Sequence, residues 1–106
     1  MLRIYAVTLE MVREVRRMLP MIEAQDADLA RQLKRAATSV PLNVSEGMYS
    51  RGKNQTARYH SAMGSAREVL GCFEVAEAMG YINSIDEAFE ARMNRIIGTL
   101  FRLVHH

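Results

Sequence analysis

Few side chains in this sequence have the type and spacing needed for chemistry. Glu46 and Glu68 could form a carboxylate pair, but a di-iron bundle needs Glu-x-x-His on two helices, and no Glu here is followed by His three residues later. His60 has no Ser or Cys partner fixed by a motif, which favours a packed or surface histidine over a general base. Cys72 falls among apolar positions, as buried thiols commonly do. We therefore expect no catalytic residue, no metal site and no cofactor.

A second kind of chemistry is the binding of anions by clustered cations. Residues 31–58 carry six positive side chains against one negative, whereas residues 67–90 carry one positive against six negative. The positive set is Arg31, Lys34, Arg35, Arg51, Lys53 and Arg58. Such side chains can neutralise the phosphates of RNA or DNA without reading base sequence. The alternative is that the opposite charges solvate neighbouring faces and pair between helices or subunits.

Within the positive set, Arg35 belongs to a motif that favours an internal role. The remaining five are the predicted nucleic-acid-binding residues: Arg31, Lys34, Arg51, Lys53 and Arg58. Aromatic side chains that could stack on bases are scarce in this part of the chain, where Tyr49 and Tyr59 stand alone. Any binding is therefore expected to depend on charge and shape.

The composition is typical of one helical domain. The 106 residues suffice for a single core, so residues 1–106 are treated as one domain. About half of them are apolar, eight are Met, and strand-forming residues hardly alternate, which predicts helices. The single cysteine excludes an internal disulfide. Since the sequence has no signal-peptide pattern and no apolar run of about 18 residues, it predicts a cytoplasmic protein with no membrane partner.

The segment Leu33–Gly47 is predicted to be the greater part of a kinked second helix. Its apolar residues keep the spacing of one helix face across Pro41, so the helix is expected to bend there and to end at Gly47. The proline has no amide hydrogen, so one carbonyl in the preceding turn loses its usual donor. Polar side chains that could satisfy backbone groups one turn away are Thr38, Ser39, Asn43 and Ser45.

The first two helices are predicted to meet near residue 26. The first helix stops at about Leu19, because Pro20 follows, or it bends at that proline. Either Asp26 or Asp28 then caps the second helix.

A third helix is predicted over residues 53–79, with Gly80 as its left-handed cap. Gly64 and Gly71 lie inside this helix, where each glycine costs up to about 1 kcal/mol relative to Ala, so we expect another helix to approach closely there. The residues predicted to face the core are Tyr59, Met63, Ala66, Leu70, Phe73 and Ala76. A capping box, Ser84 to Glu87, is predicted to open the fourth helix.

Four helices with short connections predict an all-α fold, an up-down-up-down four-helix bundle with a proline-kinked second helix. The outer helices carry extra apolar rows, formed by Leu9, Val12 and Leu19 in the first and by Ile97, Phe101 and Val104 in the fourth. Left uncovered, these rows would exceed the apolar patch that a monomer usually exposes. A closed homo-oligomer is therefore predicted.

Three segments of this chain form motifs, Arg35–Gly47, Gly64–Glu68 and Ala78–Ile82. Together they resemble a bacterial family of four-helix bundles first noticed in intervening sequences of large-subunit ribosomal RNA genes. The segment Arg35–Gly47, RAATSVPLNVSEG, is similar to its arginine-alanine, serine-isoleucine-proline, asparagine and glutamate-glycine signature. The segments Gly64–Glu68 and Ala78–Ile82 resemble its glycine-serine-x-x-glutamate motif and its leucine-glycine-tyrosine turn. The chain departs from the pattern at Tyr59-His60, where an aromatic-leucine pair is usual.

The resemblance implies a bundle that assembles as a homopentameric ring. A distantly related group contains accessory proteins of diversity-generating retroelements, which are basic pentamers that bind nucleic acid and a reverse transcriptase. The motif residues expected to have structural roles are Arg35, Ser39, Pro41, Asn43, Glu46, Gly47, Gly64, Ser65 and Glu68. We expect the charged members of this set, with Asn43, to form a buried network whose disruption costs about 3–5 kcal/mol.

Two functions remain open from the sequence. In the first, a non-enzymatic ring, a homopentamer by the resemblance, binds nucleic acid, RNA or RNA/DNA, through its basic surface, and its partner is RNA or a nucleic-acid-processing protein. In the second, the ring is a scaffold for another protein and has no nucleic-acid role. His105 and His106 are interpreted as a tag remnant without function.

Overall fold

Four α-helices make up nearly all of the chain. The computed structural model describes residues 2–105, and within that range it contains no strand. The helices are α1 (Arg3–Gln25), α2 (Ala27–Met48), α3 (Gly52–Ala78) and α4 (Glu87–Val104). The predicted all-α class is confirmed. His106, one of the two residues interpreted as a tag remnant, lies outside the described residues.

The core lies between the four helices, and all of them contribute to it. Each helix packs against the next in chain order, and α1 also contacts α4. The largest fully buried side chains are Phe73, Phe89, Met11, Ile22, Leu33, Met93, Ile96 and Leu100. Of the residues predicted to face the core from α3, Leu70 is half-buried and the others are buried. The rings of Phe73 and Phe89 meet edge to face at 4.9 Å and join α3 to α4.

Helix α1 does not stop at Leu19. It continues through Pro20 to Gln25, so the predicted early end is wrong. Ile22 continues the buried row of α1 and is fully buried. Its burial stabilises one more turn of helix after the proline. Between the two possible caps of α2, Asp26 is confirmed, because its Oδ1 accepts the amide hydrogen of Leu29 at 2.9 Å.

Helix α2 passes through Pro41 without interruption. Two polar side chains near the proline bond to the backbone one turn back, but neither bond reaches the carbonyl of Ala37, which lies four residues before Pro41. Thr38 Oγ1 donates to the Lys34 carbonyl at 3.0 Å, and Asn43 Nδ2 donates to the Ser39 carbonyl at 2.9 Å. A bend at Pro41 and the up-down-up-down order of the helices stay predictions.

The end of α3 has the geometry predicted for it. Gly80 has a φ of +79°, and its amide donates to the Glu77 carbonyl at 3.0 Å. The Tyr81 amide donates to the Ala76 carbonyl at 2.8 Å, which completes a Schellman cap. The helix itself, Gly52–Ala78, differs from the prediction by one residue at each end.

The predicted capping box of α4 is wrong. The N-cap is Asp86 rather than Ser84, and its Oδ2 accepts the amide hydrogen of Phe89 at 3.0 Å. A helix that starts here still places Glu87 in its first turn, where the helix dipole favours an acid. It also carries Phe89 directly into the core, where that side chain is 1% exposed.

The glycines of α3 are not packed against another helix of the same chain. No atom lies within 4 Å of the position a Cβ would occupy at Gly64 or Gly71, so the expected close approach is absent within residues 2–105. The tight approach is instead at Gly47 in α2. A Cβ at Gly47 would lie 2.4 Å from Cε1 of Tyr59. Gly47 therefore lets the tyrosine ring pack on the α2 backbone.

The extra apolar rows are largely covered within the chain. Leu19 in α1 and Ile97 in α4 are half-buried, while Phe101 is 48% exposed. The exposed large apolar side chains among the described residues are Met21, Leu42, Tyr49, Val75, Met79 and Phe101. No helix in the described part of the chain is both long and apolar enough to cross a bilayer.

Candidate nucleic-acid interface

Side-chain hydrogen bonds to backbone carbonyls hold the turn between α2 and α3. Gln55 Nε2 donates to the carbonyls of Gly47 at 2.9 Å and of Ser50 at 3.1 Å. Ser50 Oγ donates to the Glu46 carbonyl at 2.8 Å. The Glu46 and Gly47 carbonyls also accept the amides of Tyr49 and Ser50, so backbone and side-chain bonds together give the turn a defined shape.

Helix α3 begins without a side-chain cap. Its N-cap is Arg51, whose side chain makes no capping hydrogen bond. Gly52 follows with a φ of +56°, a left-handed conformation that glycine adopts without strain. The first amides of α3 thus lack side-chain acceptors in a region where the helix dipole is positive. Such a helix end favours an anion.

Three of the predicted binding residues lie at this end of the bundle. Arg51, Lys53 and Arg58 are all exposed. Arg58 Nε lies 3.0 Å from Oε2 of Glu46, in a pair whose two side chains are more than half exposed. Such an exposed pair contributes about 0–1 kcal/mol, so a phosphate can compete for the arginine. Arg51 and Lys53 have no ion-pair partner within residues 2–105.

These three cations share one end of the molecule but not one face of α3. Lys53 lines an open groove beside His60 and Val104, on the side of α3 next to α4. Arg58 points to the other side, where it meets Glu46 of α2. The cations therefore flank the start of α3 on both sides. We call Arg51, Lys53 and Arg58 the turn cluster.

The other two predicted binding residues are far from the turn cluster. Lys34 is 14 residues before the end of α2, which places it roughly 20 Å away along the helix. It lines a groove between α1 and α2 together with Arg16, a cation that the sequence analysis did not include. Arg31 pairs with Asp28 on the same stretch of α2. The predicted basic surface is thus two separate surfaces.

The buried charge network expected from the motif is not formed. Arg35, Glu46 and Glu68 are exposed, so these charges stay in water and avoid the cost of desolvation. The uncharged motif residues join α2 to α3 instead. Ser39 Oγ and Ser65 Oγ are 2.9 Å apart, and Asn43 Nδ2 donates to Ser39 Oγ at 3.0 Å.

The side chains considered for catalysis are scattered. His60 is exposed, while Cys72 is buried. Burial, with a smaller effect from the charge of Glu68, raises the pKa of the Cys72 thiol, which keeps it protonated and unreactive. In residues 2–105 no three His, Cys, Asp or Glu side chains are grouped as metal ligands would be.

The two aromatic residues near the cations have different environments. Tyr49 is 86% exposed beside the turn cluster, so its ring is free to stack on a base. Tyr59 is buried against Gly47, and burial raises the pKa of its phenol. A single exposed aromatic at this site supports recognition by charge and shape rather than by base sequence.

Comparison with protein families gives one match, to the 23S rRNA-intervening sequence protein family, over residues 1–102. The chain belongs to this family. The matched residues include the whole α2–α3 turn and most of α4, so the turn cluster lies within the family domain. The resemblance noted from the motifs is therefore confirmed. Searches of curated proteins and of solved structures found no match.

Proposed function

We propose that this member of the intervening-sequence protein family is a non-enzymatic homo-oligomer, a pentameric ring, that binds structured RNA or an RNA/DNA duplex. The observation that carries this proposal is the turn cluster, in which Arg51, Lys53 and Arg58 flank the uncapped start of α3. Phosphates meet two favourable features there, the side-chain cations and the free amides of a helix N-terminus.

Repetition around a ring makes such a small site effective. Three cations on one chain release few counterions, so one copy binds weakly. When copies are held together, further contacts are made at high effective concentration, and avidity exceeds single-site affinity by about 10²–10⁴. An extended polyanion such as an RNA helix can reach several copies at once.

The test is binding of a fluorescent RNA hairpin to the purified protein, followed by anisotropy over a range of salt concentrations. We expect affinity to fall steeply as salt rises. A variant with Arg51→Glu, Lys53→Glu and Arg58→Glu should bind at least about tenfold more weakly and show a shallower dependence on salt, because phosphate contacts are lost.

A control variant separates this site from net charge. Arg13→Glu, Arg17→Glu and Arg95→Glu make the same change in charge at exposed positions on α1 and α4, outside the α2–α3 turn. The control should lose much less affinity than the turn-cluster variant. Equal losses in the two variants, or binding that does not depend on salt, would contradict the proposal and favour a scaffold without a nucleic-acid role.

The proposed assembly is tested on its own by native mass spectrometry. A mass of five chains is the expected result. A stable single-chain particle at micromolar concentration would contradict the ring.

A further inference from the structure

The second basic surface lies in a groove between α1 and α2. Two adjoining depressions, of about 200 and 570 Å³, meet at Arg16, Leu19 and Lys34. Val12 and Val15 also line the smaller depression, and Glu23 and Arg31 also line the larger one. The smaller depression is almost wholly apolar. We call the whole feature the α1–α2 groove.

The groove combines an apolar floor with cations along its rim. Within residues 2–105 neither Arg16 nor Lys34 forms an ion pair, and the pair of Arg31 with Asp28 is highly exposed. Glu23 is the one acid among the described lining residues. Such a site fits an amphipathic segment that carries both apolar and acidic side chains.

The chain itself presents a surface of that kind on α3. Glu68, Val75 and Met79 recur at seven and four residues, so they follow one helix face, and all three are exposed. Val75 and Met79 are 49% and 60% exposed, although both are large and apolar. Glu74 is also exposed and negative; it projects about 100° around the helix from Val75, so it borders this face. We call Glu68, Val75 and Met79, with Glu74 at their border, the α3 face.

Two further facts make the α3 face suitable for a neighbouring helix pair. Gly64 and Gly71 extend the same row, and within residues 2–105 nothing lies within 4 Å of the position of a Cβ at either glycine. Neighbouring backbone could thus approach closely there, which no helix of this chain does.

We infer that the α1–α2 groove of one chain receives the α3 face of a second copy, with Arg16 and Lys34 opposite Glu68 and Glu74. A second copy is the partner that the chain itself supplies, because its α3 face carries the acidic and apolar side chains that complement the groove. The contact is heterologous, because groove and face are different surfaces, so successive copies can close into a ring. This inference rests on the proposed assembly and assigns Arg31 and Lys34 to it, leaving the turn cluster for nucleic acid.

Charge reversal tests the contact by sedimentation velocity at micromolar concentration. The groove variant carries Arg16→Glu and Lys34→Glu, and the face variant carries Glu68→Lys and Glu74→Lys. The dissociation constant of each assembly should be at least about tenfold higher than that of the unmodified chain, because like charges then face each other. The variant with all four changes restores opposite charges and should regain the assembled mass.

The outcomes separate this inference from the proposed function. A double variant with Arg13→Glu and Arg95→Glu is the matched control for the groove variant and should stay assembled. If the unmodified chain assembles and the groove variant keeps the same mass, the inferred contact between groove and α3 face is wrong. The proposed ring assembly is not contradicted by that result. Dissociation of both reversed variants without recovery in the four-change variant also overturns it. If the unmodified chain is a single-chain particle, ring and contact fail together.

Two checks guard against simple misfolding. Circular dichroism should show equal helix content in all variants, because every changed residue is exposed. The groove variant should also keep its salt-dependent contact with RNA through the turn cluster, at the reduced affinity of dissociated chains.

Discussion

Among the glycines of the described residues, the closest approach of another side chain is that of Tyr59 to Gly47 in α2. A Cβ at position 47 would lie 2.4 Å from Cε1 and 2.7 Å from Cδ1 of the ring. The ring is 5% exposed and has little room to move away. Gly47→Ala is therefore expected to lower the free energy of unfolding by about 1–3 kcal/mol, as overpacked cores do. Urea denaturation followed by circular dichroism measures this change.

Gly64→Ala is the matched control for that prediction. It makes the same chemical change inside a helix, but the new methyl group meets no atom within 4 Å in the described part of the chain. The free energy of unfolding should stay the same or rise by up to about 1 kcal/mol, since Ala favours a helix more than Gly. A loss in Gly64→Ala as large as that in Gly47→Ala would show that the clash with Tyr59 is not the cause.

The roles of some residues could be predicted from the sequence alone, and the roles of others could not. The burial of Cys72 follows from helical spacing, because three of its four neighbours at three and four residues on α3 are apolar, namely Val69, Val75 and Ala76. The role of Gly47 could not be predicted in this way. It depends on a ring twelve positions later in the sequence, on a different helix, and spacing within one helix carries no information about such a contact.

Helix boundaries are set by competition between local signals and packing. The start of α4 shows this, because both Ser84 and Asp86 are good N-cap residues and only the second places Phe89 in the core. The same competition explains α1, where burial of Ile22 outweighs the tendency of Pro20 to end a helix. Sequence could therefore predict that each helix exists more reliably than where it begins.

The start of α4 can be tested by a pair of substitutions. Asp86→Ala removes the acceptor of the Phe89 amide and should lower the free energy of unfolding by about 1 kcal/mol. Ser84→Ala should change it by less than about 0.5 kcal/mol, because Ser84 is exposed and lies outside the helix. Thermal or urea unfolding compares the two. If Ser84→Ala lowered the free energy of unfolding more than Asp86→Ala does, the result would support the capping box predicted from sequence.

Connections between elements include a contact that no local pattern indicates. Asp26 accepts the Leu29 amide with one carboxylate oxygen and the Tyr81 hydroxyl, at 3.1 Å, with the other. One side chain thus caps α2 and joins it to the turn after α3. Desolvation and this bond to Asp26 raise the pKa of the Tyr81 phenol. Any stability from this bond is complete below the usual phenol pKa and is lost as pH rises through the raised value.

Across the whole molecule, the cations are divided between two surfaces with different surroundings. The turn cluster is open to solvent at one end of the bundle, whereas Arg16 and Lys34 border an apolar groove. The sequence indicated most of these residues but could not show how they are divided between surfaces. Arg16 and Lys34 are brought together only when α1 packs against α2.

Assembly should make the stability of the whole molecule depend on protein concentration. If chains unfold and separate in one step, a tenfold rise in concentration adds about 1 kcal/mol of stability per chain. For a chain of about 100 residues this corresponds to a rise in Tm of roughly 5 °C. Differential scanning calorimetry at two concentrations measures the shift.

The groove variant Arg16→Glu, Lys34→Glu supplies the comparison for this last prediction. If the α1–α2 groove holds a second copy, the Tm of this variant should hardly change with concentration, because its chains are already separate before they unfold. The exposed Val75 and Met79 would then be in water at all temperatures. A Tm of the unmodified chain that does not change with concentration would show that its four helices are stable without a partner, and that the exposed apolar side chains are no interface.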